Sequence, residues 1–371
     1  MNSQQEVACT LCKGSARLLQ ENFIGYKVDM HFSIYQCDHC NTSFPLPLVD
    51  ANEIYDFIYK NGARVPAYDR YWQYFKQVKH QANPLAYLTA REEAYWGIQQ
   101  ALKEISTAKQ QPTILEVGCG LGYLTYALKT DGYTIKGLDI SNEAIQNARQ
   151  HFGDHYICDN LFSYVNEHAG EYDVIILTEV IEHVNDPIAF IKTIAALLKK
   201  GGKAIVTTPN KSLVPQDITW DTELPPVHQW WFSEDSMQFI ANQLNLNLHF
   251  VSYESFYQNN PKEYIVKRGK KKSFRIPVID ENWQFYSHAL KNIPAETTTD
   301  SAPAPATSEA SSFKKSFKRT LLQLKALVKP STIICGERGN TLCAVYEKKD
   351  YDSIRNFYTF LKAIFTDTFP D

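Results

Sequence analysis

The chain has 371 residues, 44% of them hydrophobic and 21% charged, and a formal net charge of −3. A chain of this length implies about two domains with ample apolar material for a core, and its near-neutral charge argues against a partner held by bulk electrostatics, so nucleic acid is not expected. No run is long and apolar enough to span a bilayer, and the opening MNSQQEVACTLCKG has no apolar signal region; a cytoplasmic protein with reduced cysteines is the expectation.

Residues 1–48 carry Cys9-x-x-Cys12 and Cys37-x-x-Cys40. Two such pairs separated by a loop match a tetrahedral four-thiolate zinc site. The alternating stretch between them (Tyr26, Val28, Met30, Phe32, Ile34, Tyr35) suits short strands. So small a region lacks a sufficient core of its own, and metal supplies the missing stability. Four thiolates leave no open coordination position, which makes the zinc structural. His39 is a second ligand choice, outweighed by its place on a solvated knuckle.

Residues 49–110 form a helical region rich in aromatics, with Ile54, Tyr55, Phe57, Ile58 and Tyr59, then Tyr68, Tyr71, Trp72, Tyr74 and Phe75. Aromatic stripes at this spacing serve as core more often than as a ligand box. A later helix over Pro84 to Ile105 leads into the first strand of an α/β alternation.

That alternation opens with TILEVGCGLGYLTYALKTDGYTIKGLD, Thr113 to Asp139. A short apolar run ends at Glu116, Gly118, Cys119 and Gly120; a helical pattern follows; a second strand ends on Asp139. Glycines at the first turn let a ligand approach the backbone, and an acid ending the second strand can accept hydrogen bonds from ribose hydroxyls. E-V-G-C-G-L-G-Y followed by G-L-D resembles the first two motifs of class I S-adenosylmethionine (SAM) methyltransferases. It fits the dinucleotide fingerprint less well, because Tyr123 stands where a third glycine belongs.

The resemblance implies a Rossmann-like α/β fold: a seven-stranded, mostly parallel sheet of order 3-2-1-4-5-7-6, with helices on both faces. It assigns cofactor contacts to Glu116, Gly118, Cys119, Gly120, Asp139, Ile140, Asp159, Asn160 and Thr178. It also implies a lid from the preceding helices, with Tyr68, Tyr71 and Tyr74 as candidates. Farther along, Ser141 caps a helix from Asn142 to His151, and a strand ends at Cys158. Tyr172 to Leu177 is a continuous apolar strand, as in a sheet buried on both faces. A helix runs from Pro187 to Lys199 with Gly201-Gly202 as its stop, and a strand follows from Lys203 to Thr208.

After the fourth strand comes Thr178-Glu179-Val180-Ile181-Glu182-His183. In a helical turn Glu179, Glu182 and His183 share one face at the carboxyl end of the sheet, where open α/β sheets place ligands. Two carboxylates and an imidazole suit Mg²⁺ or Mn²⁺. E-x-x-E-H resembles the metal motif of ubiquinone-biosynthesis and small-RNA O-methyltransferases, and His228 is the further ligand that the RNA group implies. The same four residues serve equally as a metal-free pocket with one group acting as general base. Residues 211–232 form a long loop in which Asp217, Trp220, Asp221, Trp230 and Trp231 either wall the acceptor or pack the loop down.

The methyltransferase domain is expected over 111–254 and 340–348, interrupted by an insertion at 255–339. The insertion holds a basic run, a low-complexity linker at 297–312 and a basic amphipathic helix at 313–329, which suits peripheral membrane contact or the domain edge. A C-terminal helix is expected at 350–371. A four-cysteine ribbon before such a domain resembles bacterial enzymes of sugar and small-molecule methylation. The expected function is SAM-dependent O-methylation of a hydroxyl on a sugar, glycan or small metabolite. The alternatives are a sugar C-methyltransferase, an RNA 2′-O-methyltransferase and a non-catalytic SAM-binding scaffold.

Overall fold

A computed structural model describes residues 7–65, 68–105, 111–213, 224–260, 265–267, 277–286, 332–334 and 337–350. The expectations for Asp217, Trp220 and Asp221, for the linker at 297–312, for the basic helix at 313–329 and for the helix beyond Asp350 lie outside these residues.

The first unit is a four-stranded antiparallel sheet in sequential order: β1 (Val7–Ala8), β2 (Ser15–Ile24), β3 (His31–Cys37) and β4 (Ser43–Leu46). One C-x-x-C turn joins β1 to β2 and the other joins β3 to β4, which places all four thiols at one end of the ladder. Four helices follow: α1 (Asn52–Asn61), α2 (Asp69–Gln77), α3 (Pro84–Thr89) and α4 (Glu93–Ile105). The single helix expected over 84–105 is therefore two. Between them the chain turns at Glu92, whose carboxylate accepts from the Tyr74 hydroxyl at 2.7 Å and pairs with Arg70 at 3.0 Å.

The central unit alternates strand and helix: β5 (Thr113–Val117), α5 (Tyr123–Thr130), β6 (Thr134–Asp139), α6 (Asn142–Phe152), β7 (Tyr156–Cys158), α7 (Leu161–His168), β8 (Tyr172–Thr178), α8 (Pro187–Leu197) and β9 (Leu198–Pro209). Then come α9 (Glu234–Gln243), β10 (Asn247–Phe250), α10 (Glu254–Asn259), β11 (Ile265–Lys267), β12 (Thr332–Ile334) and β13 (Thr341–Glu347). The main sheet runs β7-β6-β5-β8-β9-β13-β10, with β13 antiparallel to both neighbours. Numbered by its own seven strands this is 3-2-1-4-5-7-6, the expected order. β11 and β12 pair separately and close the insertion as a two-stranded ladder.

Strand periodicity sorts the core into two layers. Ile175 and Leu177 of β8 join Leu115, Val117 and Leu138 on one face, against α8 and α9. Val174 and Ile176 join Ile114, Ile135 and Ile205 on the other, against α4, α5 and α6. Burial on both faces explains why β8 lacks a polar alternation. α8 ends at Leu197, earlier than expected, and the chain goes straight into β9. Gly201 and Gly202 lie inside that strand, where the β8–β9 register shifts.

The cysteine sheet shares the first of these layers. Cys37, Cys40 and Phe44 pack in one cluster with Trp230, Phe232 and Met237. Ser43 pairs with Trp231 through two backbone bonds, Ser43 N to Trp231 O at 3.1 Å and the reverse at 2.9 Å. Trp230 and Trp231 are buried, and the Trp230 indole donates to Val184 O at 2.7 Å. They pack the loop down and do not wall an open site. No helix among the described residues is long and apolar enough to cross a membrane.

Candidate active site

β5, β6, β7 and β8 are parallel, so their carboxyl ends lie along one edge of the sheet. Gly118 has φ +74° and Gly120 φ +49°, a region that L side chains rarely adopt. A Cβ on Gly118 would meet the Val180 side chain at 2.5 Å, so this glycine is needed for packing against the turn after β8. A Cβ on Gly120 would meet nothing within 4 Å. That glycine leaves open room over the loop, where a ligand fits against bare backbone.

Asp139 latches this loop. Its carboxylate accepts from Gly120 N at 2.7 Å and from Ser141 N at 2.9 Å. Burial raises its pKa, and the Ser141 and Gly120 amides pull it back. The Ile140 amide acts on it as well, and the carboxylate keeps acceptor capacity for a ribose hydroxyl. Glu116 is also buried and accepts from the Thr125 hydroxyl, and burial pushes its carboxyl up to about 8. Cys119 donates its amide to Leu138 O, and its side chain joins the buried cluster with Leu124 and Ala127.

Asp139 pairs in register with Cys158, so Ile140 and Asp159 leave adjacent strand ends. Ile140 is 70% exposed, unusual for an isoleucine. Phe162, 50% exposed at the start of α7, offers a second apolar surface that the sequence reading did not single out. Asn160 spends its side chain on capping α7, accepting from Phe162 N at 2.9 Å. Thr178 ends β8 with its hydroxyl buried and without a hydrogen-bond partner among the described residues. The strand ends thus present a carboxylate at Asp139 and exposed apolar side chains at Ile140 and Phe162.

The turn after β8 differs from the expected helix. Glu179 sits at φ +53° and only Ile181–His183 form a 3₁₀ turn. Glu182 is buried, and its carboxylate accepts from the Thr208 hydroxyl at 3.0 Å. Its backbone carbonyl accepts from Gln229 N at 2.9 Å and Trp230 N at 3.2 Å. Glu182 is thus a brace for the 228–230 segment. Among the described residues only the four cysteines bring three or more ligand atoms within 4.8 Å of one another. Glu179, Glu182, His183 and His228 do not, because the left-handed turn at Glu179 breaks the shared face. The Mg²⁺ or Mn²⁺ expectation finds no support in this geometry.

His183 and His228 do come together, with ring centroids 4.5 Å apart at 78°. His183 Nδ1 lies 2.7 Å from Val227 O. A carbonyl oxygen can only accept, so Nδ1 carries the proton and Nε2 is the basic nitrogen. Nε2 lies 3.9 Å from Glu182 Oε1. Burial lowers the pKa of both histidines, and for His228 the neighbouring His183 lowers it further. His228 Nδ1 is buried without a hydrogen-bond partner among the described residues. Above the pair lie Tyr55 of α1, whose ring meets His183 edge-on at 6.1 Å, and Tyr26 and Tyr68, which share a cluster with Val227. Of the three lid candidates, Tyr74 is core: it is buried and packs on Tyr95 and Tyr123. Tyr68 and Tyr71 are half-buried and packed edge-on at 5.2 Å.

In the N-terminal sheet, Cys9 Sγ lies 3.8 Å from Cys40 Sγ and Cys12 Sγ lies 3.3 Å from Cys37 Sγ. These separations are too long for a disulfide and near the roughly 3.8 Å edge of a tetrahedron with Zn–S bonds of about 2.3 Å. Backbone amides of Gly14, His39 and Cys40 point at the sulfurs, as expected for thiolates. The four residues fit a structural zinc ion; His39 is exposed and packs on Phe239.

Comparison with known proteins agrees with this arrangement. A family described as "Methyltransferase domain" matches residues 89–250. The ubiquinone biosynthesis O-methyltransferase of Vibrio parahaemolyticus is 32% identical over 153 residues, 39% of this chain and 59% of that protein. The Escherichia fergusonii protein of the same name is 30% identical over 152 residues, 38% of this chain and 58% of that protein. The chain thus spans somewhat under two thirds of the length of these curated relatives. Among solved structures, a SAM-dependent methyltransferase from Archaeoglobus fulgidus matches with a TM-score of 0.41 and 13% identity, covering 75% of this chain and all of that one. Residues 89–250 are a class I, SAM-dependent methyltransferase domain, set in this chain behind a small four-cysteine sheet.

Proposed function

We propose that the protein transfers a methyl group from SAM to a hydroxyl of a sugar, glycan or other small metabolite. The observation that carries the proposal is the histidine pair beside the glycine loop. His183 has its proton committed to Val227 O and its Nε2 basic, and His228 presents an orphaned buried nitrogen. SAM, when bound, supplies a methyl group already activated by its sulfonium. What is left for the chain is to hold donor and acceptor in line and to take the acceptor's proton.

Gly118, Gly120, Asp139 and Ile140 hold the nucleoside end. Thr178 Oγ1 and His228 Nδ1 orient the acceptor, since each gains a hydrogen bond it otherwise lacks. His183 Nε2 receives the proton, and Glu182 Oε1 at 3.9 Å stabilises the imidazolium that forms. Half-buried Tyr26, Tyr55 and Tyr68 exclude water. The relatives' printed activity, O-methylation, supports oxygen as the acceptor atom.

The test is transfer from methyl-labelled SAM to a panel of nucleotide sugars, free glycans and phenols, with Asp139→Ala and His183→Ala alongside. The expected result is oxygen-linked label on one class, loss of SAM affinity in Asp139→Ala, and normal SAM affinity with a kcat lower by about 10²–10⁴-fold in His183→Ala. Label appearing on carbon, or His183→Ala turning over normally, overturns the proposal.

A further inference from the structure

Val227 has no functional side chain, yet its carbonyl is the point on which the histidine pair turns. It accepts two hydrogen bonds: from His183 Nδ1 at 2.7 Å and from the Tyr55 hydroxyl at 3.1 Å. Both lone pairs are therefore used, one by the residue placed at the chemistry and one by a helix nearly 130 residues earlier in the chain. The side chain of Val227 packs against Ile54 and Ile58 of the same helix, α1. The next residue is His228, whose amide donates to Leu224 O at 3.1 Å. One peptide unit thus anchors His183 through its oxygen and carries His228 on its far side.

We propose that Tyr55 is a positioning residue. By holding the Val227 carbonyl through its hydroxyl, it fixes which nitrogen of His183 bears the proton and where the other nitrogen points. The inference rests on the reading of His183 as the base.

Three features support it besides the distance. The Tyr55 ring lies edge-on to the His183 imidazole, centroids 6.1 Å apart at 82°, so it bounds the ring it orients. Burial, with Tyr68 and Glu182 nearby, raises the phenol's pKa, and it stays a donor across the working pH range. The same segment is held from the cysteine sheet, where Tyr26 N donates to Pro225 O at 2.8 Å. With the Tyr55 hydroxyl gone, the Val227 carbonyl loses one of its two donors and its direction is less tightly fixed. His183 then samples the tautomer with the proton on Nε2, which cannot accept one from an acceptor hydroxyl.

Tyr55→Phe removes the oxygen and keeps the ring. In full-length protein with ¹⁵N-labelled histidine, the wild-type His183 imidazole should show a protonated Nδ1 and an unprotonated Nε2. Tyr55→Phe should show averaging of the two nitrogens. Where turnover is measured, kcat should fall by about five- to tenfold with unchanged KM for SAM, the size expected for losing one net hydrogen bond. An unchanged tautomer in Tyr55→Phe overturns the proposal, whatever happens to the rate. The tautomer readout needs no acceptor, so a wild-type protein that methylates nothing but shows this averaging upholds the positioning role while the methyl-transfer reading falls. A wild-type His183 protonated on Nε2 overturns both.

Discussion

The two histidines show how burial decides a charge state. Among the described residues the carboxylate paired with His183 is Glu182, 3.9 Å from its Nε2. Desolvation therefore wins, and both pKa values fall below the usual 6.5. The native pair is neutral where the unfolded chain's histidines would already be charged. Between 6.5 and the lowered native values the unfolded state binds more protons, so stability must drop as pH falls through that window. Replacing His228 by Asn removes the more strongly shifted of these groups. Urea midpoints of wild type and His228→Asn, followed from about pH 7 down to about pH 5, should diverge, with the variant losing less. Parallel curves would mean that the buried pair does not titrate as its surroundings require. The E-x-x-E-H spacing was visible in the sequence, but the conformation of Glu179 was not. A non-glycine residue at positive φ is set by its tertiary surroundings, here its amide bonded to Thr207 O at 3.1 Å, and no local pattern announces it.

At the scale of elements, strands and helices with strong periodicity were legible, and their junctions were less so. β5, β6 and β8 announce themselves as apolar runs ending in glycine or acid. The stop of α8 does not, because Leu197 continues the apolar face and β9 begins without a loop. Nor does the sequence show the double use of α9's first turn. Ser233 Oγ accepts from Ser236 N at 3.2 Å and Ser236 Oγ accepts from Ser233 N at 3.0 Å, a complete capping box. A serine replaces the usual Glu or Gln, and its short side chain stays free to serve a second element. Ser236 Oγ also accepts from Thr42 at 2.8 Å and donates to Cys40 O at 3.1 Å. Ser236→Ala therefore breaks a helix cap and a tie to the cysteine sheet at once, and leaves buried partners unsatisfied. A loss of about 1–3 kcal/mol in urea unfolding is expected. A loss of a few tenths would mean that water replaces the hydroxyl and that the tie is incidental.

Over the whole molecule, the donor and acceptor halves of the site hang from different supports. Gly118, Gly120 and Asp139 are held by β5 and β6 in the middle of the large sheet. The segment from Pro225 to Trp231, which carries Val227 and His228, is braced by Glu182 from the large sheet and held from outside by α1, by Tyr26, and by the pairing of Ser43 with Trp231. Two of these three outer supports belong to the cysteine sheet, whose four thiols fit a structural zinc ion. Sequence showed the four ligands plainly and the site they support not at all, since nothing in C-x-x-C says what its sheet will dock against. The dependence gives an asymmetric outcome for metal removal. Stripping zinc from the full-length protein with a chelator, with metal release followed by a colorimetric thiol-and-zinc assay, should leave SAM affinity within about twofold in calorimetry, because the ties of the donor half are intact. Methyl transfer should be lost, and the tautomer signal of His183 should average as Val227 comes free. Restoring zinc should restore both. Equal loss of SAM binding and transfer would show instead that the sheet and the metal fold as one unit, and that the division of the site into separately supported halves is wrong.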